Sequence, residues 1–325
     1  MYKLAIDAMG SDKGSSIVLN SSLKFINDYP DVELHIYGDI NELSSLEREK
    51  RITVIPTTEV MEMTDGALAV RRKKDSSMVR AITDLSEGIV DGVVSCGSTG
   101  GLFSASTLLL GTIDNVDRAA LLMVLPSKNK KGVILVDCGA NASCSASQLV
   151  DFAILGNAYA KLVNKVSKPN VGLLNMGTEA KKGDDLRKET FKCLEEKSSI
   201  NFIGNVEGKD VLTKDIDVVV SDGFTGNVFL KSVEGAADFM MSALKEKLGA
   251  NPISILGAML AKKGLSEMKK ELDPSQYGGA MIAGLNGAVV KGHGSSDEVA
   301  MYHALRQLYN VVSSDVVGKL KEEIA

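Results

Sequence analysis

The residues of this chain best suited to chemistry lie in short polar turns, each following an apolar, β-branched run. The richest is Cys96-Gly97-Ser98-Thr99-Gly100-Gly101, which follows Gly92-Val93-Val94-Ser95 and precedes an apolar stretch ending at Leu108 to Leu110. Strand, glycine-rich turn and helix in that order leave the first helical N–H groups without partners, and the glycines let a ligand approach that backbone closely. The guest such a turn suits is an anion, with Ser98 and Thr99 adding hydroxyls; a tight packing turn is the plainer reading of the same residues. The turn has no Lys-Ser or Lys-Thr of a Walker loop, and its glycines do not have the GxGxxG spacing of dinucleotide binders.

The same arrangement recurs along the chain. Asp7 and Asp12 leave the run Lys3 to Ile6, Asp137 and Asn141 leave Val133 to Val136, and Asn205 follows Phe202-Ile203. Asp222 and Asn227 leave Val218 to Val220, and His293, between glycines and beside two serines, leaves Ala288 to Val290. Ligands of open α/β sheets bind at strand C-terminal ends, so each of these is a candidate substrate contact. Each also has a structural alternative: a helix cap for Asp12 and Asn227, and turn hydrogen bonds for Asp137, Asn141 and His293. Lys182, in Lys181-Lys182-Gly183, carries a charge suited to phosphate or to an oxyanion, or it is a solvated surface lysine. Cys138 and Cys144 have no histidine beside them and read as small buried hydrophobes. The scattered carboxylates show no ligand spacing, so neither a metal nor another cofactor is expected.

The elements that must position these turns alternate strand and helix, a βαβ rhythm that predicts a doubly wound sheet with right-handed parallel crossovers. A helix from about Asp65 carries Arg71, Arg72, Lys73, Lys74 and Arg80, a basic exception in a chain of net charge -5 that could meet an acidic partner or remain a solvated face. The overall charge offers no general attraction for nucleic acid. With 44% hydrophobic and 24% charged residues the chain reads as globular. Four cysteines without paired spacing read as reduced thiols, and no leader or membrane-length run is evident, so a cytoplasmic protein is expected. From Val228 to Leu248 a helix presents Met240, Met241, Leu244 and Leu248 as a core or dimer face. Pro252 to Leu272 then reads as two amphipathic helices joined at a glycine, with Leu256, Leu260 and Ala261 at a tip near lysines. Such a tip suits an anionic bilayer surface, or an arm against a second subunit.

Seven segments in one order, DAMGSD (7–12), RRKKDSSM (71–78), DGVVSCGSTGGL (91–102), VDCGAN (136–141), NMGTEAKKG (175–183), GNVEGKD (204–210) and SDGFTGNVFLK (221–231), closely resemble the PlsX-type phosphate acyltransferases, over residues 3 to 310. Ser11 and Ala119 depart from the family's usual Gly and Pro. The resemblance implies a three-layer αβα, isocitrate dehydrogenase-like fold over residues 1–325, with a protruding helical hairpin at 250–275. It implies transfer of a long-chain fatty acyl group from acyl carrier protein to inorganic phosphate, giving acyl phosphate for phospholipid synthesis. Lys182 and Asn227 match the family's catalytic lysine and polar partner. Asp7, Gly97, Ser98, Thr99, Gly100, Asp137, Asn141, Asn205, Asp222 and His293 become its substrate contacts, and Arg71 to Lys74 a carrier-binding face. A homodimer bound peripherally to the inner face of the membrane is implied as well. A short-chain enzyme using coenzyme A thioesters would need the same loops, and a noncatalytic carrier-protein scaffold would need only the basic face.

Overall fold

A computed structural model describes residues 1–62, 64–128, 130–272 and 278–324. The first half is built on β1 (Tyr2–Asp7), α1 (Ser16–Asp28), β2 (Val32–Gly38), the short α2 (Ile40–Leu43), β3 (Ile52–Pro56), α3 (Ala67–Arg72), α4 (Ser77–Ser86), β4 (Gly92–Ser95) and α5 (Thr99–Leu110). The chain then crosses the sheet with β5 (Ala120–Leu125) and β6 (Val133–Val136), followed by α6 (Ala146–Leu162), β7 (Asn170–Asn175), α7 (Asp185–Glu195), β8 (Asn201–Glu207) and β9 (Val218–Val220). A long helix, α8 (Gly223–Gly249), leads into α9 (Pro252–Leu260) and α10 (Lys262–Leu272). The chain returns through β10 (Ala280–Ala283), β11 (Ala288–Lys291), α11 (Glu298–Ser313) and α12 (Val316–Ile324).

The strands form one sheet in the order β3-β2-β1-β4-β11-β10-β5-β6-β9-β7-β8. Pairing is parallel from β3 to β11 and again from β6 to β8, as the βαβ rhythm predicts. The middle is different: β10 pairs antiparallel with both β11 and β5, and β5 with β6. These reversals turn the second half of the sheet against the first, so the two groups of strands end on opposite ends of the molecule.

Burial follows the two-residue alternation of strands. Leu4, Ile6, Val94, Val136, Val220 and Val290 pack one face with residues of α1, α6 and α11, while Ala5, Val93, Leu135, Val219 and Val289 pack the other with residues of α3, α4 and α5. The result is the expected three-layer αβα arrangement.

Several boundaries depart from the sequence expectation. The basic run is not one helix, because Ser76 caps α4 by accepting from the Val79 N–H, and the chain breaks between Arg72 and Ser77. Asp12 does not cap α1, which starts after Ser15; its N–H instead donates to the Gly294 carbonyl. The helix after β9 begins at Gly223 with Asp222 as its cap, so Asn227 lies inside α8 and is no cap. The bend between α9 and α10 falls at Ala261, not at Gly264, which is within α10. Residues 273–275 of the expected hairpin lie outside the described residues. Of α8, only Gly223, Gly226 and Leu230 are buried, and α9 has no buried residue, so the arm they form projects from the sheet.

Candidate functional site

The candidate residues divide between the two ends of the sheet. Asp7, Gly97, Ser98, Thr99, Gly100 and His293 gather where β1, β4 and β11 end. Lys182, Asn227, Asp137, Asn141, Asn205 and Asp222 gather where β6, β7, β8 and β9 end. From β4 to β6 the sheet order counts four strand spacings, about 19 Å, in addition to the reversal of direction.

At the second end, Asp137 is fully buried and committed to its own turn. One carboxylate oxygen accepts from the N–H groups of Leu121, Gly139 and Ala140, and the other from the Asn141 N–H and its side-chain amide. Asn141 also donates to the Ala119 carbonyl. With these bonds the two residues shape the loop onto which α8 is packed. A Cβ on Gly226 would overlap the Asp137 carbonyl oxygen, and one on Gly223 would lie 2.7 Å from the Asn141 carbonyl oxygen, so only glycine permits this approach. Asn227, one turn into α8, faces Gly139 and is exposed.

Lys182 reaches the same end from the β7–α7 loop. Its N–H donates to the Glu179 carbonyl, and its own carbonyl accepts from the Asn175 amide at 3.1 Å, leaving the ammonium exposed. Arg187 then fastens the two helix starts together. It pairs with Asp184, the N-cap of α7, at 2.8 Å, and with Asp222, the N-cap of α8, and it donates to Thr225. This tie holds an exposed cation and an exposed amide on neighbouring helix starts, each with a strand behind it. Asp222 is accordingly a cap and an ion-pair partner. Asn205 donates to the Glu179 carbonyl at 2.9 Å, supporting the lysine loop from beneath, and lines a cavity of about 500 Å³ with Thr178, Ile203, Asp210, Lys214 and Ile216. In the same β7–α7 loop Met176 is 78% exposed, and in the first turns of α8 Phe224 and Val228 are 66% and 53% exposed.

At the first end, Asp7 is buried between Ser77 and Ser95, each hydroxyl donating to one carboxylate oxygen at 2.6 Å, and it accepts from the Met9 N–H. Burial pushes its carboxyl above the usual range against the pull of those bonds. Ser95 accepts from the Gly97 N–H and Ser98 caps α5 by accepting from Gly101, whereas Thr99 and Gly100 are exposed. His293 is exposed, its Nδ1 2.8 Å from the Ser295 hydroxyl. Ser77, Ser95, Lys291 and Arg187 escaped the sequence reading. Only the spacing Asp184-x-x-Arg187 at a helix start hinted at the last.

Cys96, Cys138 and Cys144 are poor nucleophiles. Burial raises the pKa of Cys96 and Cys138 above the ordinary thiol range, and it carries that of Cys144 to about 11. In the basic run, Lys73 is withdrawn into an ion pair with Asp65 at 2.6 Å and a bond to the Val60 carbonyl, while Arg71, Arg72 and Lys74 are exposed.

The fold places the chain in a class shared with solved α/β proteins. The fold matches a phosphotransacetylase from Streptococcus pyogenes with a TM-score of 0.64 at 16% identity, covering 98% of this chain and 94% of that one. It also matches a branched-chain phosphotransacylase from Enterococcus faecalis at 0.59 and 16% identity, covering 95% and 99%. At such identities the likeness is one of fold alone. The particular family follows from the sequence: the chain belongs to the PlsX-type family described as fatty acid synthesis protein, whose model matches residues 2–319. Its relatives include proteins named phosphate acyltransferase from Streptococcus uberis, 46% identical over 99% of this chain and 97% of the relative, and from Macrococcus caseolyticus, 43% identical over 100% and 99%.

Proposed function

We propose that this chain transfers a long-chain fatty acyl group from acyl carrier protein to inorganic phosphate, yielding acyl phosphate for phospholipid synthesis. A phosphate oxygen attacks the thioester carbonyl carbon, the carbonyl oxygen becomes an oxyanion, and collapse of the tetrahedral intermediate breaks the C–S bond, so that the thiolate leaves with the carrier. Lys182 and Asn227 hold phosphate and donate to the oxyanion, a contribution of about 3 kcal/mol for a single well-placed donor. Phosphate is itself the nucleophile, in keeping with thiols that burial holds protonated. What remains for the protein is placement and electrostatics.

The observation that carries this reading is the Arg187 tie, which fixes the lysine loop and the Asn227 helix start as one unit. Exposed apolar side chains on the lysine loop and the start of α8, Met176, Phe224 and Val228, favour a long acyl chain over the short chains of the alternative reading with coenzyme A thioesters. The names of the relatives support phosphate as acceptor. Arg71, Arg72 and Lys74 supply a face for an acidic carrier, and Lys73 stiffens it. The arm of α8 to α10, with Ile253, Leu256 and Leu260 exposed by 84%, 60% and 83%, suits contact with the inner membrane face and with a second copy in a homodimer.

Incubation with long-chain acyl carrier protein and labelled phosphate tests the reaction. A hydroxylamine-sensitive labelled product is expected, faster with the carrier thioester than with the matching coenzyme A thioester. Carrier binding without phosphate-dependent thioester cleavage would establish the scaffold reading instead.

A further inference from the structure

Acyl transfer to phosphate moves a proton that neither Lys182 nor Asn227 has been assigned. Hydrogen phosphate enters with one P–OH group. The carrier leaves as a thiol, protonated at neutral pH, and the acyl phosphate leaves as a dianion, as phosphorylated side chains largely are. While the C–O bond forms and the C–S bond breaks, the P–OH proton passes from phosphate to sulfur. A side chain that relays it has to lie beside Lys182 and be uncommitted to another partner.

Most acids at the second end of the sheet are committed. Asp137 is spent on its own turn and on the Leu121 N–H. Asp184 and Asp222 pair with Arg187, Glu207 with Lys209 at 2.7 Å and Asp210 with Lys214 at 2.9 Å. Burial holds the Cys138 and Cys144 thiols protonated. Glu179, in the lysine loop, differs: it is exposed, and among the described residues its carboxylate has neither an ion pair nor a hydrogen bond.

The backbone that carries this acid is nevertheless fixed. The Glu179 carbonyl accepts from the Lys182 N–H at 3.0 Å and from the Asn205 amide at 2.9 Å, and Asn205 is only 6% exposed. The Asn175 amide holds the Lys182 carbonyl at 3.1 Å. In this pinned turn both side chains fold over Gly177, where a Cβ would lie 3.0 Å from a Glu179 carboxylate oxygen and 3.1 Å from Lys182 Cγ. An acid and a cation thus share the space above one glycine without pairing. A phosphate held by the ammonium meets the carboxylate favourably only through its P–OH, since a hydroxyl donates to a carboxylate and a second anionic oxygen is repelled by it.

We propose that Glu179 is a catalytic residue, the base that accepts the P–OH proton as phosphate attacks and then gives it to the departing sulfur. The relay rests on the proposed reaction, acyl transfer from a carrier thioester to phosphate. Its balance closes, because Glu179 ends as the carboxylate it began as and the thiol carries away the proton that phosphate brought.

The test is steady-state acyl phosphate formation by the full chain, with labelled phosphate and saturating long-chain acyl carrier protein, in wild type, Glu179→Gln, Glu179→Ala and Lys182→Ala. Glu179→Gln keeps the shape of the side chain but cannot take up the proton. Its kcat falls by about a hundredfold or more, the usual contribution of a general base, while its KM for phosphate does not rise and its melting temperature is unchanged. Added formate, a small external carboxylate, raises turnover of Glu179→Ala by about tenfold and leaves Lys182→Ala as it was. Near-wild-type kcat in Glu179→Gln, a loss carried instead by KM or by melting temperature, or absence of the formate effect overturns the proposal. A wild type that forms no acyl phosphate overturns the reaction itself, whereas an active wild type beside an equally active Glu179→Gln removes the relay alone.

Discussion

Single residues at the second end divide into those that shape the backbone and those that face outward. Asp137 and Asn141 bond inward, whereas Lys182 and Asn227 leave their donors in solvent. Replacement of Lys182 by alanine therefore lowers acyl phosphate formation by about a hundredfold, the size of one lost oxyanion donor, with no change in melting temperature. Near-wild-type turnover would remove the lysine from the mechanism. The cysteines make a second prediction. Because burial raises the pKa of Cys144 to about 11, its thiolate forms two pH units above the ordinary thiol value of 9. Alkylation by iodoacetamide, followed by mass spectrometry between pH 7 and 9, is then over tenfold slower at Cys144 in the native chain than after unfolding, and the treated native enzyme keeps its activity. Rapid inactivation by a stoichiometric label on Cys138 or Cys144 would indicate a thiol intermediate.

At the scale of elements, the site depends on two helix starts packed hard against strand ends. Gly226→Ala forces α8 away from the Asp137 carbonyl and costs about 3 kcal/mol in denaturant unfolding, whereas Gly100→Ala, with open space around it, is neutral or slightly stabilising. Equal midpoints for the two variants would show that α8 does not bear on the loop. Arg187 is the other joint, with its side chain 13% exposed against an Asp222 side chain 6% exposed. Arg187→Ala leaves a buried carboxylate with only the Thr225 donors, destabilises by about 3 kcal/mol and raises the KM for phosphate, and lysine does not restore it because it cannot span Asp184 and Asp222 together. Much of this level was legible beforehand. The apolar runs located β4, β6 and β9, whereas the basic run, expected as one helix, is divided by the Ser76 cap of α4. The start of α8 was misplaced because Asn227 and Asp222 are both good caps, and only the packing of Gly223 and Gly226 on the β6 turn decides between them.

The whole molecule is a packed sheet bearing an arm with no core of its own. In Leu256→Glu with Leu260→Glu, both at exposed positions, circular dichroism and melting temperature stay as in the wild type, while cosedimentation with anionic vesicles falls several-fold. Undiminished vesicle binding would exclude the tip as the contact. The local pattern of the sequence determined the turns and the layers, because strand periodicity and glycine freedom are properties of neighbouring residues, and the order of its motifs pointed to the family. It could not determine that the polar turns would separate into two groups. That outcome depends on β10 and β5, short apolar strands whose residues carry no sign of direction, and whose antiparallel pairing reverses half of the sheet. Nor could it show that Lys291, one lysine among many, lies buried beside Ser95, since lateral register joins residues 196 positions apart and only the closed sheet brings them together.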